Sequence, residues 1–283
     1  MPRRGLEDMT GQLRKVIGLY KRAARMKYEQ AVVEGPQAVR EVLASRPGLI
    51  RDVYVTRAAL VAHPDIDRLL KDRDPYTHIL PADLFAEVTT TAQGFLAVVD
   101  IPEEEDLNAI LETAQLVVLG VEMVDPGNLG TVIRTADATG ADAVVLGHTS
   151  VEATNPKVIR SSAGSIFHTP VIEDEDVADV VQRARAAGMQ ILLADGGGDW
   201  DLSVVADATY ESVLHGTTPD GPDLRKRTLW IVGNEAHGFT EEQRELADAV
   251  ISVPIYGQAE SLNVAMATSV CLYTSAIAQR RGE

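Results

Sequence analysis

The sequence predicts an α/β protein in which a parallel sheet, covered by helices on both faces, follows a smaller α/β unit. From about residue 116 onward, short apolar runs alternate with longer amphipathic stretches, as strands and helices do in parallel sheets. The length of 283 residues favours two domains. The composition, 45% hydrophobic and 24% charged, is that of a globular chain and excludes collagen-like, coiled-coil and disordered classes.

The first hundred residues predict the smaller unit. A helix is expected over residues 36–47, after Gly35 and Pro36, because its apolar residues fall on one face. Short strands are expected at residues 50–55, 79–80 and 95–99. Residues 101–107 are acidic and proline-marked, which is typical of a linker. We therefore divide the chain into one domain over residues 1–104 and a second over residues 105–283.

In the second domain, predicted strands and helices alternate. Ligands of such sheets bind beyond the carboxyl ends of the strands, so chemistry is expected in the loops after Val121, Ala194, Val232 and Val253. Residues 215–227 are polar and rich in Pro and Gly, which predicts a surface loop. The strands are expected at residues 116–121, 143–146, 191–194, 229–232 and 249–253, and the helices at 128–139, 174–187 and 261–280.

The net charge of −16, taken alone, argues against a nucleic-acid partner, because Lys and Arg make the phosphate contacts. The charge is uneven, however: residues 1–100 carry 15 basic and 13 acidic side chains, and residues 101–283 carry 11 and 29. A polyanion is therefore expected to meet the front of the chain first, although a basic cluster is also typical of a solvated helix face. The cluster consists of Arg14, Lys15, Lys21, Arg22, Arg25 and Lys27.

Several other classes are disfavoured. The sequence has neither an uncharged apolar run of about 18 residues nor the apolar core of a signal peptide, so we expect a cytoplasmic protein without a membrane span. The single cysteine, Cys271, excludes an internal disulfide, and no CxxC or HExxH motif supplies a metal site. Residues 194–199 lack the GK[ST] ending of a phosphate loop, and no GxGxxG opens a helix after the first strand, which disfavours ATP and NAD.

The first candidate for chemistry is a polar turn that leads from a strand into a helix. Asn128 is placed as the N-cap of the helix over residues 128–139, and Gly130 leaves space above its first turn. Arg134 follows nearly two turns later and can point back over the loop. Capping alone would also explain this turn.

The second candidate is the turn that ends the strand at residues 229–232. A glycine at position 233 lets a ligand approach the backbone, and Glu235 stands where an ordinary turn needs no acid. His237 is expected to be an incidental exposed imidazole. Strand termination alone would also explain this turn.

The third candidate precedes the apolar helix near the end of the chain. Ser261 and Asn263 can both cap that helix, whose free N–H groups would suit a carboxylate or a polarised oxygen. A hydrolase nucleophile at Ser261 is disfavoured, because no GxSxG motif surrounds it. Cys271 lies within the apolar helix and is expected to be a buried structural thiol.

Together, the three segments share their order and spacing with a known family. They comprise Asn128, Gly130 and Arg134; then Gly233, Asn234, Glu235 and Gly238; then Val253, Pro254, Gly257, Ser261, Leu262 and Asn263. In this they resemble the SpoU/TrmH class of SPOUT RNA methyltransferases, which residues 155–168 also resemble. Residues 33–42 and 91–98 are similar to the L30e-like substrate-binding domain of the ribosomal-RNA members. The resemblance covers about residues 14–280.

This resemblance implies a SPOUT catalytic domain, an α/β fold with a C-terminal trefoil knot, behind an L30e-like domain. It implies a homodimer, formed through the knotted domain, that transfers a methyl group from S-adenosyl-L-methionine to a ribose 2′-hydroxyl of RNA. It also implies that the cofactor lies in the loops that follow three of the strands. The implied cofactor-binding residues are Ala194, Gly233, Asn234, Gly238, Val253, Ile255, Ser261 and Leu262.

Methyl transfer is an in-line displacement, so the enzyme must align two centres and help the hydroxyl to lose its proton. Arg134 is the implied base, yet a guanidinium is a poor proton acceptor. We expect Arg134 instead to stabilise the developing alkoxide and to bind the neighbouring phosphate, which leaves the proton acceptor open. The residues expected to hold Arg134 and the ribose in position are Asn128, Glu235, Ser261 and Asn263.

Ribosomal RNA is the expected substrate, because the front domain resembles those of the ribosomal-RNA members. Transfer RNA is the alternative substrate. A different class, an RNA-binding or ribosome assembly factor that lacks activity, also fits the fold. The RNA contacts are expected from the front domain and from Lys157, Arg160 and Arg134.

Overall fold

Two β-sheets organise the chain, one of five strands and one of seven. The computed structural model describes residues 4–91, 93–233 and 238–281. One unit comprises Met1–Glu103 and Glu152–His168, and the other comprises Glu104–Val151 and Thr169–Glu283. The segment Glu152–His168, which our sequence-based division assigned to the second domain, makes its contacts in the first unit.

The strands are short, as the apolar runs predict. They are β1 Arg4–Gly5, β2 Gln30–Glu34, β3 Ile50–Val55, β4 Thr77–Ile79, β5 Phe95–Asp100, β6 Leu116–Val121, β7 Ala143–Gly147, β8 Val171–Glu175, β9 Gln190–Ala194, β10 Trp200–Asp201, β11 Thr228–Gly233 and β12 Ala249–Ser252.

The helices are of six to eighteen residues, except for one shorter turn near the end of the chain. They are α1 Gly11–Gly18, α2 Arg22–Tyr28, α3 Pro36–Ser45, α4 Arg57–Ala62, α5 Pro64–Arg73, α6 Ala82–Val88, α7 Leu107–Thr113, α8 Pro126–Thr139, α9 Pro156–Ser161, α10 Val177–Ala186, α11 Leu202–His215, α12 Glu241–Glu245 and α13 Val264–Arg281.

In the first unit, the strand order is β1-β4-β3-β5-β2, and β5 is antiparallel to both of its neighbours. Both faces of this sheet are covered. Phe95 and Ala97 of β5 pack in a core with α3, while the alternating Leu96 and Val98 pack in a second core with α1 and α6. The chemistry-bearing motifs do not lie in this sheet.

The second unit has seven parallel strands in the order β10-β12-β9-β11-β6-β7-β8. Every residue of β6 is buried, as expected of a central strand with helices on both sides. The parallel sheet and helices predicted from the sequence are therefore confirmed. No helix within the described residues combines the length and hydropathy needed to cross a membrane.

Two predicted helix starts are wrong, and one helix was not predicted. The helix expected from residue 174 begins at Val177, because residues 171–175 form β8 and Asp176 caps the helix. The helix expected from residue 261 begins at Val264. Residues 202–215 form α11, which the sequence did not predict.

Candidate active site

Four adjacent parallel strands place their carboxyl ends at one edge of the second sheet. In the order β12, β9, β11 and β6, they lead into the loops that carry the predicted site residues. Because parallel strands all point the same way, these loops must meet at that edge. The candidate site therefore lies within the second unit alone.

Asn128 lies in the first turn of α8 but is not its N-cap, so that prediction is wrong. Asp125 is the N-cap, and its carboxylate Oδ1 accepts a hydrogen bond of 2.8 Å from the backbone N–H of Asn128. Pro126 at the first helical position favours this start, because proline needs no hydrogen-bond acceptor there. The side chain of Asn128 is therefore not required for capping.

That side chain instead contacts the third motif. Nδ2 of Asn263 donates a hydrogen bond of 2.9 Å to Oδ1 of Asn128. Oδ1 of Asn263 accepts from the backbone N–H groups of Ala265 at 3.0 Å and Met266 at 3.4 Å, so Asn263 caps α13 as predicted. One amide thus fixes the start of α13 and joins it to the first turn of α8.

Ser261 does not act as a helix cap, contrary to the prediction. It is exposed and makes no hydrogen bond with any residue that the structure describes. Helix α13 begins three residues after Ser261, so the Ser261 hydroxyl lies too early in the chain to reach the free N–H groups of the first turn of the helix. The Ser261 hydroxyl is therefore available to a ligand.

Arg134 lies on the exposed side of α8. Within the described ranges, its guanidinium has neither an ion pair nor a hydrogen bond. The neighbouring residue, Thr135, faces inward, where its hydroxyl lies 2.9 Å from that of Ser269 in α13. This contact holds α8 against α13, while Arg134 stays exposed.

The loop after β9 is fixed by an ion pair that the sequence did not predict. Asp195 directly follows Ala194, and its Oδ1 lies 2.8 Å from Nη2 of Arg244 in α12 and accepts a 2.8 Å hydrogen bond from the N–H of Gly197. Both charged side chains are largely buried, at 11% and 27% exposed. No motif contains Arg244, and no local sequence signal indicates the pairing.

Glycine is required at two positions of this edge. A Cβ on Gly198 would lie 2.7 Å from backbone atoms of β12, so the loop after β9 can approach that strand only with glycine. Gly233 has φ +148°, and a Cβ there would lie 1.9 Å from the carbonyl oxygen of Val121 in β6. The glycine at the end of β11 thus serves the close approach of the two strands.

Two residues of the second motif, Asn234 and Glu235, lie outside the described residues, as does His237. Gly238 resumes the description with φ +66° and is exposed. A Cβ on Gly238 would lie 3.9 Å from Oδ2 of Asp195. The loops after β9 and β11 therefore adjoin each other.

The loop after β12 gives this edge an apolar surface. Val253 is half-buried, whereas Ile255 and Leu262 are each 39% exposed. Exposed aliphatic side chains beside open peptide groups suit a ligand with a flat, apolar ring and a few polar atoms. Within the described residues, no group of three or more His, Cys, Asp or Glu side chains could hold a metal ion.

The predicted burial of Cys271 is confirmed. The residue is fully buried in α13, and this burial raises the pKa of its thiol to about 12. A thiol with so high a pKa is neither a nucleophile nor a metal ligand at neutral pH. Its role is packing.

Arg160, expected to contact RNA, binds a buried carboxylate in the first unit. Its Nη1 lies 3.1 Å from Oε2 of Glu34, which is 1% exposed. Burial alone would raise the pKa of Glu34, but hydrogen bonds from Thr89, Tyr20 and Thr90 outweigh it and hold that pKa below its usual value. Glu34 is therefore ionised at neutral pH, and Arg160 is its counter-ion.

Comparisons with known proteins agree with this geometry. Residues 115–273 match the SpoU rRNA Methylase family. The 23S rRNA (guanosine(2553)-2′-O)-methyltransferase RlmP of Bacillus subtilis is 36% identical over 259 residues, which cover 90% of this chain and 92% of RlmP. The 23S rRNA (guanosine-2′-O-)-methyltransferase RlmB of Bordetella pertussis is 30% identical over 267 residues, covering 89% of this chain and 98% of RlmB.

The fold agrees as well. The crystal structure of the SpoU methyltransferase AviRb from Streptomyces viridochromogenes, in complex with the cofactor AdoMet, matches with a TM-score of 0.77 and 28% identity. The match covers 96% of this chain and 99% of AviRb. The SPOUT class predicted from the sequence is thereby confirmed, and the chain belongs to the SpoU rRNA methylase family.

Proposed function

We propose that this protein transfers a methyl group from S-adenosyl-L-methionine to a ribose 2′-hydroxyl of ribosomal RNA. The hydrogen bond between Asn263 and Asn128 carries the proposal, since it joins the first and third motifs at the ligand-binding edge of the sheet. The relatives RlmP and RlmB, which align over about nine-tenths of this chain, are named as 23S rRNA 2′-O-methyltransferases.

The carboxyl edge of the sheet suits S-adenosylmethionine. Exposed Ile255 and Leu262 offer an apolar surface for an adenine ring. When bound, the cofactor supplies an electrophilic methyl group on a sulfonium centre. The residues that would hold it are Ala194, Gly233, Asn234, Gly238, Val253, Ile255, Ser261 and Leu262.

The side chains near the start of α8 and α13 would act on the ribose. Arg134, exposed and unpaired within the described ranges, would bind the neighbouring phosphate and stabilise the charge that develops on the 2′-oxygen. Asn128 and Asn263 would hold one rim of the ribose site, and the Ser261 hydroxyl would complete it. Glu235 would hold Arg134 in position from the second motif.

The substrate class follows from the relatives and from the charge. Residues 1–100 carry a small net positive charge, whereas the rest of the chain is strongly acidic. We therefore assign RNA capture to residues 1–104, as an L30e-like substrate-binding domain that residues 152–168 join, and methyl transfer to a knotted domain formed by the rest of residues 105–283. Since its relatives are named as ribosomal-RNA enzymes, the protein would act in the cytoplasm.

A homodimer is also part of the proposal. Four large apolar side chains of α13 are exposed at 41–50%: Met266, Val270, Tyr273 and Ile277. Their spacing of three and four residues places them on one face of the helix. A contiguous exposed apolar stripe favours a protein partner, and a second copy of the chain would cover it.

The experiment that tests the function uses tritiated S-adenosylmethionine. The purified protein and this cofactor are incubated in three separate reactions, one with unmodified 23S rRNA, one with unmodified 16S rRNA and one with total tRNA. We expect label in ribosomal RNA. Label in tRNA alone would contradict ribosomal RNA as the substrate. If no methyl group were transferred and calorimetry detected no binding of the cofactor at millimolar concentration, an assembly factor without activity would be favoured.

A further inference from the structure

Tyr28, the last residue of α2, lies beside two lysine side chains. Nζ of Lys15 in α1 is 4.3 Å from the centre of the Tyr28 ring, and Nζ of Lys27 is 5.3 Å from it. Both distances are typical of cation–π contacts, in which the ring attracts an ammonium group. We name Lys15, Lys27 and Tyr28 the tyrosine–lysine cluster.

The cluster is accessible and anchored. Tyr28 is 41% exposed, Lys27 is exposed, and Lys15 is half-buried. Glu29 follows Tyr28 in the left-handed conformation, with φ 51°, and its carbonyl accepts a 2.9 Å hydrogen bond from the N–H of Ile101. The backbone of the cluster is thus tied to the edge of the first sheet, so the ring has a fixed place at the surface.

The basic residues around the cluster differ in how their charge is balanced. Arg22 and Arg25 both form ion pairs with Glu152, and Arg25 is 2% exposed. Neither lysine of the cluster has an ion pair with a residue of the described ranges. Two of the six basic residues predicted to form one surface therefore share a single carboxylate, whereas the two lysines of the cluster have no such counter-ion within the described residues.

One acidic group near Lys15, Asp100, is already engaged. Asp100 pairs with Arg51, whose Nη2 lies 2.6 Å from it, and this contact, more than the field of Lys15, holds the pKa of Asp100 below its usual value. Glu29, which follows Tyr28 in the chain, is exposed. The two ammonium groups both lie near one ring and repel each other, and an anion that binds both would relieve that repulsion.

We infer that the tyrosine–lysine cluster is a contact site for the phosphodiester backbone of the RNA substrate. Two cations held near one ring at the surface fit phosphates of an RNA strand, and the ring keeps both in place before the RNA arrives. The inference rests on the proposed function, because it takes RNA as the substrate. It explains how an acidic chain of net charge −16 can hold a polyanion: a small part of its surface has unneutralised positive charge.

The test compares variants of the full-length protein. The double variant Lys15→Gln/Lys27→Gln removes both cations, Tyr28→Leu removes the ring, and Tyr28→Phe keeps it. Lys71→Gln in α5 and Tyr76→Leu are matched controls elsewhere in the first unit, where Tyr76 is 60% exposed. Filter binding to unmodified 23S rRNA is measured at several KCl concentrations, together with methyl transfer.

We expect the double variant to weaken RNA binding about tenfold and to reduce the slope of log Kd against log salt by about 1.5, because two phosphate contacts are lost. KM for RNA should rise with kcat and cofactor affinity unchanged. Tyr28→Leu should weaken binding several-fold, and Tyr28→Phe should bind like the wild type, because only the ring is required.

Normal RNA affinity and salt slope in the double variant, or equal losses in the two controls, would overturn the inference. Inorganic phosphate could also stabilise the wild-type protein but not the double variant, while the two proteins bind RNA equally well. That result would identify a site for free phosphate and would overturn the inference too. If the protein binds RNA through this cluster but transfers no methyl group, the proposed function fails while the cluster stands.

Discussion

The side-chain amide of Asn263 donates a 2.9 Å hydrogen bond to the side-chain carbonyl of Asn128, although 135 residues separate the two in the sequence. The same Asn263 caps α13 through its other amide atom. Capping and ribose positioning therefore depend on different atoms of one side chain. Substitutions can separate the two roles.

Replacing Asn263 with Asp should preserve stability and impair catalysis. A carboxylate still accepts the hydrogen bonds from the start of α13 and is favoured by the helix dipole, but it cannot donate, so Asn128 must turn its side-chain amide and donate instead. Asn263→Ala should lose both roles and lower the free energy of unfolding by about 1 kcal/mol. Urea denaturation and methyl transfer measure the two effects separately.

The matched variant is Asn128→Asp, which keeps an acceptor for Asn263. It should retain more activity than Asn263→Asp. If Asn263→Asp transferred methyl groups at the wild-type rate, the orientation of the Asn128 amide that this hydrogen bond sets would have no part in the reaction.

Arg244 should affect cofactor affinity although it belongs to no motif. Arg244→Ala removes the partner of Asp195 and loosens the loop after β9, so the Kd for S-adenosylmethionine should rise about fivefold, which corresponds to about 1 kcal/mol. The Kd for RNA should not change. Isothermal calorimetry with the cofactor measures the effect.

Arg185→Ala is the control for this prediction. Arg185 pairs with Asp248 at 2.8 Å in the same unit, but that ion pair lies at the opposite, amino-terminal edge of the sheet. Its loss should leave cofactor affinity unchanged. Equal effects of the two substitutions would show that the loop after β9 does not depend on Arg244.

Arg134→Ala should abolish methyl transfer while the Kd for the cofactor stays within about threefold, because the proposed interaction is made with the ribose and strengthens in the transition state. Arg134→Lys should fail as well, since an ammonium cannot reproduce the planar fork of a guanidinium. Single-turnover rates and calorimetry decide this. Retention of more than about a tenth of the turnover, equivalent to about 1.4 kcal/mol of barrier, would rule out the assigned role.

The apolar stripe on α13 predicts the state of assembly. Sedimentation equilibrium at micromolar concentration should give about twice the chain mass of 30.5 kDa. Val270→Glu with Tyr273→Glu should give the mass of one chain, since buried charge at an interface is costly. Val61→Glu, which changes an exposed valine of the first unit, should leave the dimer intact. A wild-type mass near 30.5 kDa would exclude the dimer.

Strong local patterns made much of the fold predictable. The predicted strand at residues 116–121 coincides with β6, because a wholly apolar run between turns has few alternatives. Helix α11 was missed for the opposite reason: Val204, Tyr210 and Leu214 lie on its exposed side, so the sequence shows no polar face there.

The site was predictable only in part. Several good capping residues precede α8 and α13, and propensity alone does not choose among them. Pro126 could have identified Asp125 as the cap of α8, because proline favours the first helical position. The pair of Asp195 and Arg244 had no such local signal, since it arises where two separate segments meet in the folded chain.

The chemical nature of the product tests the central claim most directly. Unmodified 23S rRNA is incubated with the protein and methyl-labelled S-adenosylmethionine, digested to nucleosides and separated by chromatography with mass spectrometry. We predict that the label appears in a 2′-O-methylribonucleoside, at one position of the RNA, and that it is absent with Arg134→Ala. Label on a base, or no label in RNA from a protein that binds the cofactor, would contradict the account.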